Sequence, residues 1–425
     1  MTLRKKLFFI LSFSFVLIIK LYFLITSFCN ADFTASHVNN NGDSSHYLSI
    51  AKNIYKFHTY ADNGSYIANE YATWRAPIWP FVLSFLFYIS NSTFWLLLSK
   101  IVLETILLTT FLNIYRKRQK LDFTLFVPFL ILFIEPQYLK YSFSFISESF
   151  NALLILLLTV LFLTLKTTSK FNLAIPILSA IIILCHPVST FFILTFMGLY
   201  CLLNVKKNSK TMVLHGFIFI ALLLIWPIRN ALTFDKGLYL TASQGATFSK
   251  GWNEEVLTNF TNVEGDLANE GLNLKFIKDV DKKLPINSVL NLSKLYQQGT
   301  WNYINQLNFI EKVQIAFKKI KSNFNPFPEK PKLGFFEDLS IVFRILYLVL
   351  FLQLIKRLFQ FKKFDFESQK DRVFLIVLAV LIGQIIMSIY IYTGYRFNSI
   401  YSLCLLFCFI IVNQNLIQKT IHKLF

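Results

Sequence analysis

Apolar runs of about 18 to 23 residues recur along the chain, separated by short stretches in which lysine, arginine and asparagine gather. Wound as a helix, such a run crosses roughly 30 Å of hydrocarbon. The pattern predicts helices at about residues 7–29, 93–115, 121–138, 144–165, 171–186, 188–204, 211–228, 335–357, 372–394 and 397–416. Basic clusters lie between them, at Arg4 to Lys6, Arg116 to Lys120, Lys166 to Lys170, Lys206 to Lys210, Lys356 to Lys363 and Lys419 to Lys423. Positive residues hold loops in the cytoplasm. Placing every cluster on that side predicts ten crossings with both termini inside. The first run follows Arg4, Lys5 and Lys6 as a signal peptide would, but it is too long for one and lacks a small-residue cleavage site, which predicts a retained helix.

One apolar stretch is left over. Pro77 to Ser90 is 14 residues long, and counting it as a crossing would move the Arg116 cluster to the wrong side. It reads as a re-entrant or interfacial helix in the outer leaflet, although hydropathy alone would make it a short span. Two longer polar segments then lie outside, residues 30–76 and 231–334. The chain divides into an N-terminal transmembrane module (1–230) carrying the first outer loop (30–76), a large outer loop (231–334), and C-terminal transmembrane helices (335–425). Within the large loop, Trp301 to Phe324 spaces its apolar residues for a helix with one greasy face among Lys312, Lys318, Lys319 and Lys321. This predicts one helix lying on the membrane surface and ending at Pro326 and Pro328.

Composition agrees with an all-α polytopic membrane protein: 425 residues, 55% hydrophobic and 15% charged. The net charge of +19 does not change the class. Its basic residues come as short clusters between apolar runs, so the charge reports topology and no nucleic-acid partner is expected. The five cysteines lie mostly inside apolar runs without a CxxC pair, so neither a disulfide framework nor a zinc site is expected. High Lys, Asn, Phe and Ile usage points to an AT-rich bacterial genome, and so to a bacterial inner membrane.

Charges placed against this pattern are the candidates for chemistry. Lys20, Lys100 and Glu104 fall near the middle of predicted helices, where a charge costs at least about 2.5 to 3.5 kcal/mol. They need partners, and a buried structural cluster is expected. Lys140 and Arg344 read as flanking or snorkelling. On the outer side stand Asp43, in NNNGDSSHYLSIA, and Glu148, in FSFISESFNALL. Two acids at one boundary with His46 and His58 nearby suit proton transfer or cation binding, and equally suit solvated loops. His46 itself reads as a solvated neighbour. Arg75 and Arg229 suit an anionic headgroup, because guanidinium binds phosphate through two parallel bonds. Plain anchoring beside Trp74, Trp79 and Trp226 is the structural alternative.

Taken together and in order, these segments resemble the GT-C superfamily of membrane glycosyltransferases, in the branch of bacterial protein O-mannosyltransferases and the lipid A aminoarabinose transferase. GDSSHYLSIAKNIYKFHTYA (42–61) looks like that family's first outer loop, a GDxxxY element that includes Tyr47. WRAPIWP (74–80) resembles its R-x-P-x-x-P element, SFISESFNALL (144–154) its SE helix, and HPVS (186–189) its R/H-P-[TS] turn. WPIRNALTFDKGLYLTASQG (226–245) is similar to its PW-x-x-RN segment, and GYRFNSIYS (394–402) to its closing Y-R-x-P element. Three positions depart: Asn398 and Tyr401 stand where prolines are common, and His186 where arginine is usual.

The resemblance implies transfer of a sugar from a polyprenyl-phosphate donor to a lipid, glycan or protein hydroxyl at the outer face, with inversion and no nucleotide sugar. It implies Asp43 as general base and Glu148 orienting the acceptor or a cation. Arg75, Arg229 and Arg396 would hold the departing phosphate, with His186 and Tyr47 beside them. No cofactor is certain, and a divalent cation is compatible although no D-x-D pair is present. A transporter or lipid flippase is the chief alternative, and another GT-C chemistry the second. A transporter would favour internal repeats and charges at the midplane.

Overall fold

The computed structural model describes residues 13–14, 17–26, 29, 42–119, 127–165, 170–205, 208–257, 288–325, 335–360, 368–391 and 395–417. Among these there are helices and no strands. Four helices are long and apolar enough to cross a membrane: Thr93–Gln119, Ser209–Phe234, Leu339–Phe359 and Gln369–Tyr390. Shorter apolar helices accompany them, so the described residues form an all-helical structure with the apolar helices of a membrane protein.

In chain order the helices are α1 (Leu17–Thr26), α2 (Gly42–Phe57), α3 (Ile78–Leu86), α4 (Thr93–Gln119), α5 (Pro136–Ser142), α6 (Glu148–Thr164), α7 (Ala174–Cys185) and α8 (Thr190–Asn204). They continue as α9 (Ser209–Phe234), α10 (Gln244–Gly251), α11 (Val289–Gln306), α12 (Phe309–Phe324), α13 (Phe335–Phe359), α14 (Gln369–Tyr390) and α15 (Tyr395–Val412).

The centre of the bundle is α6. It is buried on nearly every side, as expected of a helix apolar all round, and it packs against α4, α7 and α15. At the periphery, α9 exposes Val213, Phe217, Ile220, Ile225 and Leu232, an apolar surface suited to lipid. Helices α8 and α14 approach closely at Gly383, where an added Cβ would stand 2.6 Å from the Phe192 Cα. A small residue is what permits that approach.

The predicted helix at 121–138 is broken. Residues 121–126 lie outside the described region, Val127–Ile134 is a 3-10 helix, and α5 starts afresh behind Glu135, whose carboxylate accepts from the Tyr138 N–H at 2.6 Å. Residues 143–147 leave helical conformation before α6 begins. Broken backbone at membrane depth requires internal partners, and the misplaced charges supply them. Lys100 is fully buried and donates to the carbonyls of Tyr141 (3.2 Å) and Ser142 (3.0 Å), to Ser149 Oγ (2.9 Å), and to Glu104 (2.8 Å). Lys20 donates to Tyr138 Oη at 3.0 Å. The expected buried cluster is present, and it closes the C-terminal end of α5.

Other sequence expectations need correction. The surface helix at 301–324 is two helices, because Asn308 starts α12 with a reciprocal capping box to Glu311. Phe309, Ile310, Val313 and Phe317 stay exposed along one face, but Lys319 is buried against protein. It donates to the carbonyls of Gly251 (3.1 Å), Ile389 (3.0 Å) and Ile391 (2.7 Å) and so caps α14. Arg344 is not snorkelling. It is 8% exposed and donates to Asn325 O at 3.2 Å. Trp79 is no interface anchor either: it is fully buried and donates from Nε1 to Phe145 O at 2.6 Å, which fixes the short α3 inside the bundle. Trp226 is likewise buried.

The two ends of the bundle differ in chemistry. At one end α4 terminates in Arg116 to Arg118, Arg372 caps α6 by donating to Phe162 O (3.3 Å) and Leu165 O (3.0 Å), and Arg357 grips Asp371 through two bonds. At the other end, about 25 Å away along the 17 residues of α6, lie Glu148 and the residues described next.

Candidate functional site

Asp43 occupies the first turn of α2, where a carboxylate is favoured by the free N–H groups. The helix places Asp43, His46 and Tyr47 at i, i+3 and i+4, on one face. That face meets Arg75, which follows the 3-10 turn Glu70–Trp74. Arg75 donates from Nη2 to Asp43 Oδ1 and from Nε to His46 Nδ1 at 3.1 Å, while its guanidinium lies 5.0 Å from the Tyr47 ring centre. Tyr47 is buried, and its hydroxyl shares a hydrogen bond with Ser147 Oγ at 3.2 Å.

Ser147 immediately precedes Glu148, the first residue of α6. The Glu148 carboxylate has no exposed surface. One oxygen, Oε1, takes the Nε–H of Arg396 and faces His186 Nε2 at 3.5 Å, and the other, Oε2, has no protein partner. His186 stands at the break between α7 and the turn Pro187–Ser189, with Nδ1 equally unpartnered. Arg396, in the first turn of α15, reaches Asp43 Oδ2 through Nη1 at 2.5 Å while holding Glu148. A continuous chain therefore runs from His46 through Arg75, Asp43, Arg396 and Glu148 to His186. It joins α2, the turn before α3, the central α6, the turn after α7 and α15.

Burial pushes the Asp43 carboxyl upward, but the guanidiniums of Arg396 and Arg75 outweigh it and hold the group well below the ordinary carboxylate range. His46 is held down at about 4, by burial first and then by Arg75. The geometry gives the same answer: Nδ1 accepts from Arg75, so the ring is neutral with its hydrogen on Nε2, which lies 3.4 Å from Asp62 Oδ2 without a hydrogen bond to it. Burial lifts the Tyr47 hydroxyl to about 12. At neutral pH Asp43 is a carboxylate held between two guanidiniums, and His46 is a neutral imidazole.

Six of the seven residues singled out in the sequence converge here: Asp43, Tyr47, Arg75, Glu148, His186 and Arg396. Arg229 does not join them. Its guanidinium lies 4.8 Å from the Trp226 ring centre, 5.4 Å from Phe234 and 5.7 Å from Tyr60, and donates to Asn230 Oδ1 at 3.0 Å. Tyr60 separates it from Arg75, to whose carbonyl the Tyr60 hydroxyl donates at 3.0 Å.

His46 is not the solvated neighbour its loop suggests: it is 8% exposed and accepts from Arg75 within the cluster. The missed signal was its spacing, since a helix over GDSSHY puts it one turn from Asp43. His58 is exposed, in left-handed conformation at the end of α2. The solvated reading of Glu148 also fails. A divalent cation between the two acids does not fit this arrangement, because Arg396 occupies the space between their carboxylates. Among the described residues no three His, Cys, Asp or Glu side chains converge as metal ligands.

The fold and site together define an all-helical membrane protein with a charge-compensated carboxylate and arginine cluster at one end of its bundle. No protein-family model, no curated protein and no solved structure matches this chain.

Proposed function

We propose that this chain is a GT-C-like membrane glycosyltransferase of about ten crossings, which moves a sugar from a polyprenyl phosphate to an acceptor hydroxyl at the outer face. The observation that carries the reading is the bridge of Arg396 between Asp43 and Glu148, with Arg75 on the other side of Asp43. These four charged groups come from segments that lie far apart in sequence. They meet at the bundle end opposite Arg116 to Arg118, the end that the basic clusters assign to the outside.

Arg75 uses Nε and Nη2 in the cluster, which leaves its Nη1 for a ligand oxygen. A donor phosphate competing for the guanidiniums takes over bonds that now go to Asp43. Freed of that compensation, the Asp43 carboxylate becomes a stronger base. In the transfer step the acceptor oxygen bonds to the anomeric carbon from the face opposite the leaving group, and its proton passes to Asp43. The anomeric carbon–oxygen bond breaks and its electron pair goes to the phosphate, where the arginines meet the added negative charge. Glu148 keeps Arg396 in position, and Tyr47 supports Arg75 from below its plane. The exposed apolar stripe of α12 and the short α3 frame the groove for the isoprenoid tail.

Incubating the purified protein with labelled polyprenyl-phosphate sugars tests this. Appearance of label in an acceptor, with release of polyprenyl phosphate, is the expected result. Label that stays on the lipid while it crosses vesicle membranes would point to a flippase. A transporter draws some support from the buried Lys100 and Glu104 pair, but those charges close a helix break.

A further inference from the structure

The turn that carries Arg75 is held from opposite sides. Toward α2, Arg75 bonds His46 and Asp43, and the Tyr71 ring lies against His46 with centres 4.8 Å apart. The other side meets the large outer loop. There Glu70, the first residue of the turn, accepts through both carboxylate oxygens. Oε1 accepts from the Ser288 hydroxyl at 2.9 Å and the Leu290 N–H at 3.1 Å, and Oε2 accepts from Lys236 Nζ at 3.1 Å. Lys236 also donates to Ser288 Oγ at 2.5 Å, which closes a ring of side chains.

Ser288 is the N-cap of α11, and its Oγ accepts from the Asn291 N–H at 3.2 Å. Glu70 and Ser288 therefore divide the free donors of that helix start, Glu70 taking Leu290 and Ser288 taking Asn291. A carboxylate is favoured at this end of a helix. The contact spans 218 positions of sequence, and the Glu70 side chain is 14% exposed, so it is a tertiary contact shielded from solvent.

The same loop touches the turn again at its far end. The Ala242 N–H donates to Thr73 O at 2.9 Å, and Trp74 packs with Tyr239, Ala242 and Leu290. These anchors move as one body, because α10 and α11 are locked together. The Gly245 N–H donates to Ser293 Oγ at 2.9 Å, and an added Cβ on Gly245 would stand 1.9 Å from Ser293 O. Arg75 directly follows Trp74, so a shift of the turn carries the guanidinium with it. A displacement of about 1 Å in a reacting group can cost about 10²-fold in rate.

We propose that Glu70 is a positioning residue for Arg75, the point through which the large outer loop holds that guanidinium in the cluster. The positioning stands on these bonds, and its effect on sugar transfer rests on the function proposed above.

Phenylglyoxal, which attacks accessible guanidinium groups, tests this on the full chain in nanodiscs, with labelling of each arginine followed by mass spectrometry. Arg75 and Arg357 form a matched pair: each is bonded to an aspartate, their side chains are 14% and 15% exposed, and they lie at opposite ends of the bundle. Glu70→Ala should speed labelling of Arg75 by about tenfold, because losing hydrogen bonds to a charged acceptor raises the population in which the turn is open. Arg357 should label at the wild-type rate. Glu70→Gln keeps an oxygen for Leu290 and should fall in between. Ser288→Ala leaves the turn itself intact and should still speed Arg75, by about threefold; it decides the matter if Glu70→Ala does not fold. In sugar transfer, Glu70→Ala should lower kcat and Glu70→Gln should recover most of it. Wild-type labelling of Arg75 in the folded variants would overturn the proposal, and so would equal acceleration of Arg75 and Arg357, which marks general loosening. A wild type that transfers no sugar would overturn the proposed function instead, and the labelling would still decide the role of Glu70.

Discussion

Arg396 is bonded to Glu148 across 248 positions of sequence, with the carboxylate fully buried and the guanidinium at the rim. Breaking such a pair from one side leaves an uncompensated buried charge, a loss of about 3 to 5 kcal/mol. Arg396→Gln should therefore lower the thermal midpoint markedly, and adding Glu148→Gln should restore most of it. Melting curves of the two single variants and the double variant measure the coupling; additive losses would mean that the pair does not hold α15 to α6.

Asp43 makes its bonds from the exposed side of the same cluster, 26% accessible. Asp43→Asn keeps the size of the side chain and removes the base. The expected outcome is a folded protein that still binds polyprenyl phosphate but transfers sugar about 10² to 10⁴ times more slowly. Transfer at the wild-type rate would remove Asp43 from the mechanism.

Glu104 tests the structural side of the charge inventory. Glu104→Gln leaves Lys100 buried beside a neutral amide and should destabilise the protein by several kcal/mol. Activity per folded molecule should change little. Replacing both residues, Lys100→Met with Glu104→Leu, removes both buried charges but also uncaps the Tyr141 and Ser142 carbonyls. Recovery should therefore be partial. A Glu104→Gln protein that is fully stable yet inactive would move this pair into the catalytic machinery.

His46 gives the fold a pH dependence with a definite sign. Its ring is held at about 4 in the fold, against about 6.5 when unfolded. Below pH 6.5 the unfolded chain takes up a proton that the folded chain refuses. Stability should fall by about 1.4 kcal/mol per pH unit from about 6.5 down to 4. Asp43 adds to the loss only below about pH 5, where its carboxyl begins to take up a proton in the unfolded chain but not in the fold. His46→Gln, which can still accept from Arg75, should flatten the slope. An unchanged slope would assign it to another group.

Gly383 permits a close approach of α8 and α14. Gly383→Ala forces a Cβ toward the Phe192 backbone and should cost about 1 to 3 kcal/mol. Gly198 has no neighbour within 4 Å of its added Cβ, so Gly198→Ala serves as the control. Equal midpoints for the two variants would show that α8 shifts without penalty.

The sequence by itself determined the class, because a run of about twenty apolar residues has one stable solution in lipid and basic clusters bias which side each connection takes. It also singled out the charges that violate the pattern, and six of its seven site residues do converge. Local spacing could not say which charge meets which. Lys100 reads as a charge inside a helix and Lys319 as the polar face of a surface helix, yet both are buried caps: one closes the C-terminal end of α5 and the other that of α14. Those assignments depend on where backbone carbonyls are left unpaired, and helix breaks at 143–147 and at Asn308 leave little mark on hydropathy. Arg229 and Arg396 were equivalent on the page. Only packing sets Arg229 among aromatic rings and Arg396 between two carboxylates, because the energy of an ion pair depends on distance and burial, and neither is a property of the chain before it folds.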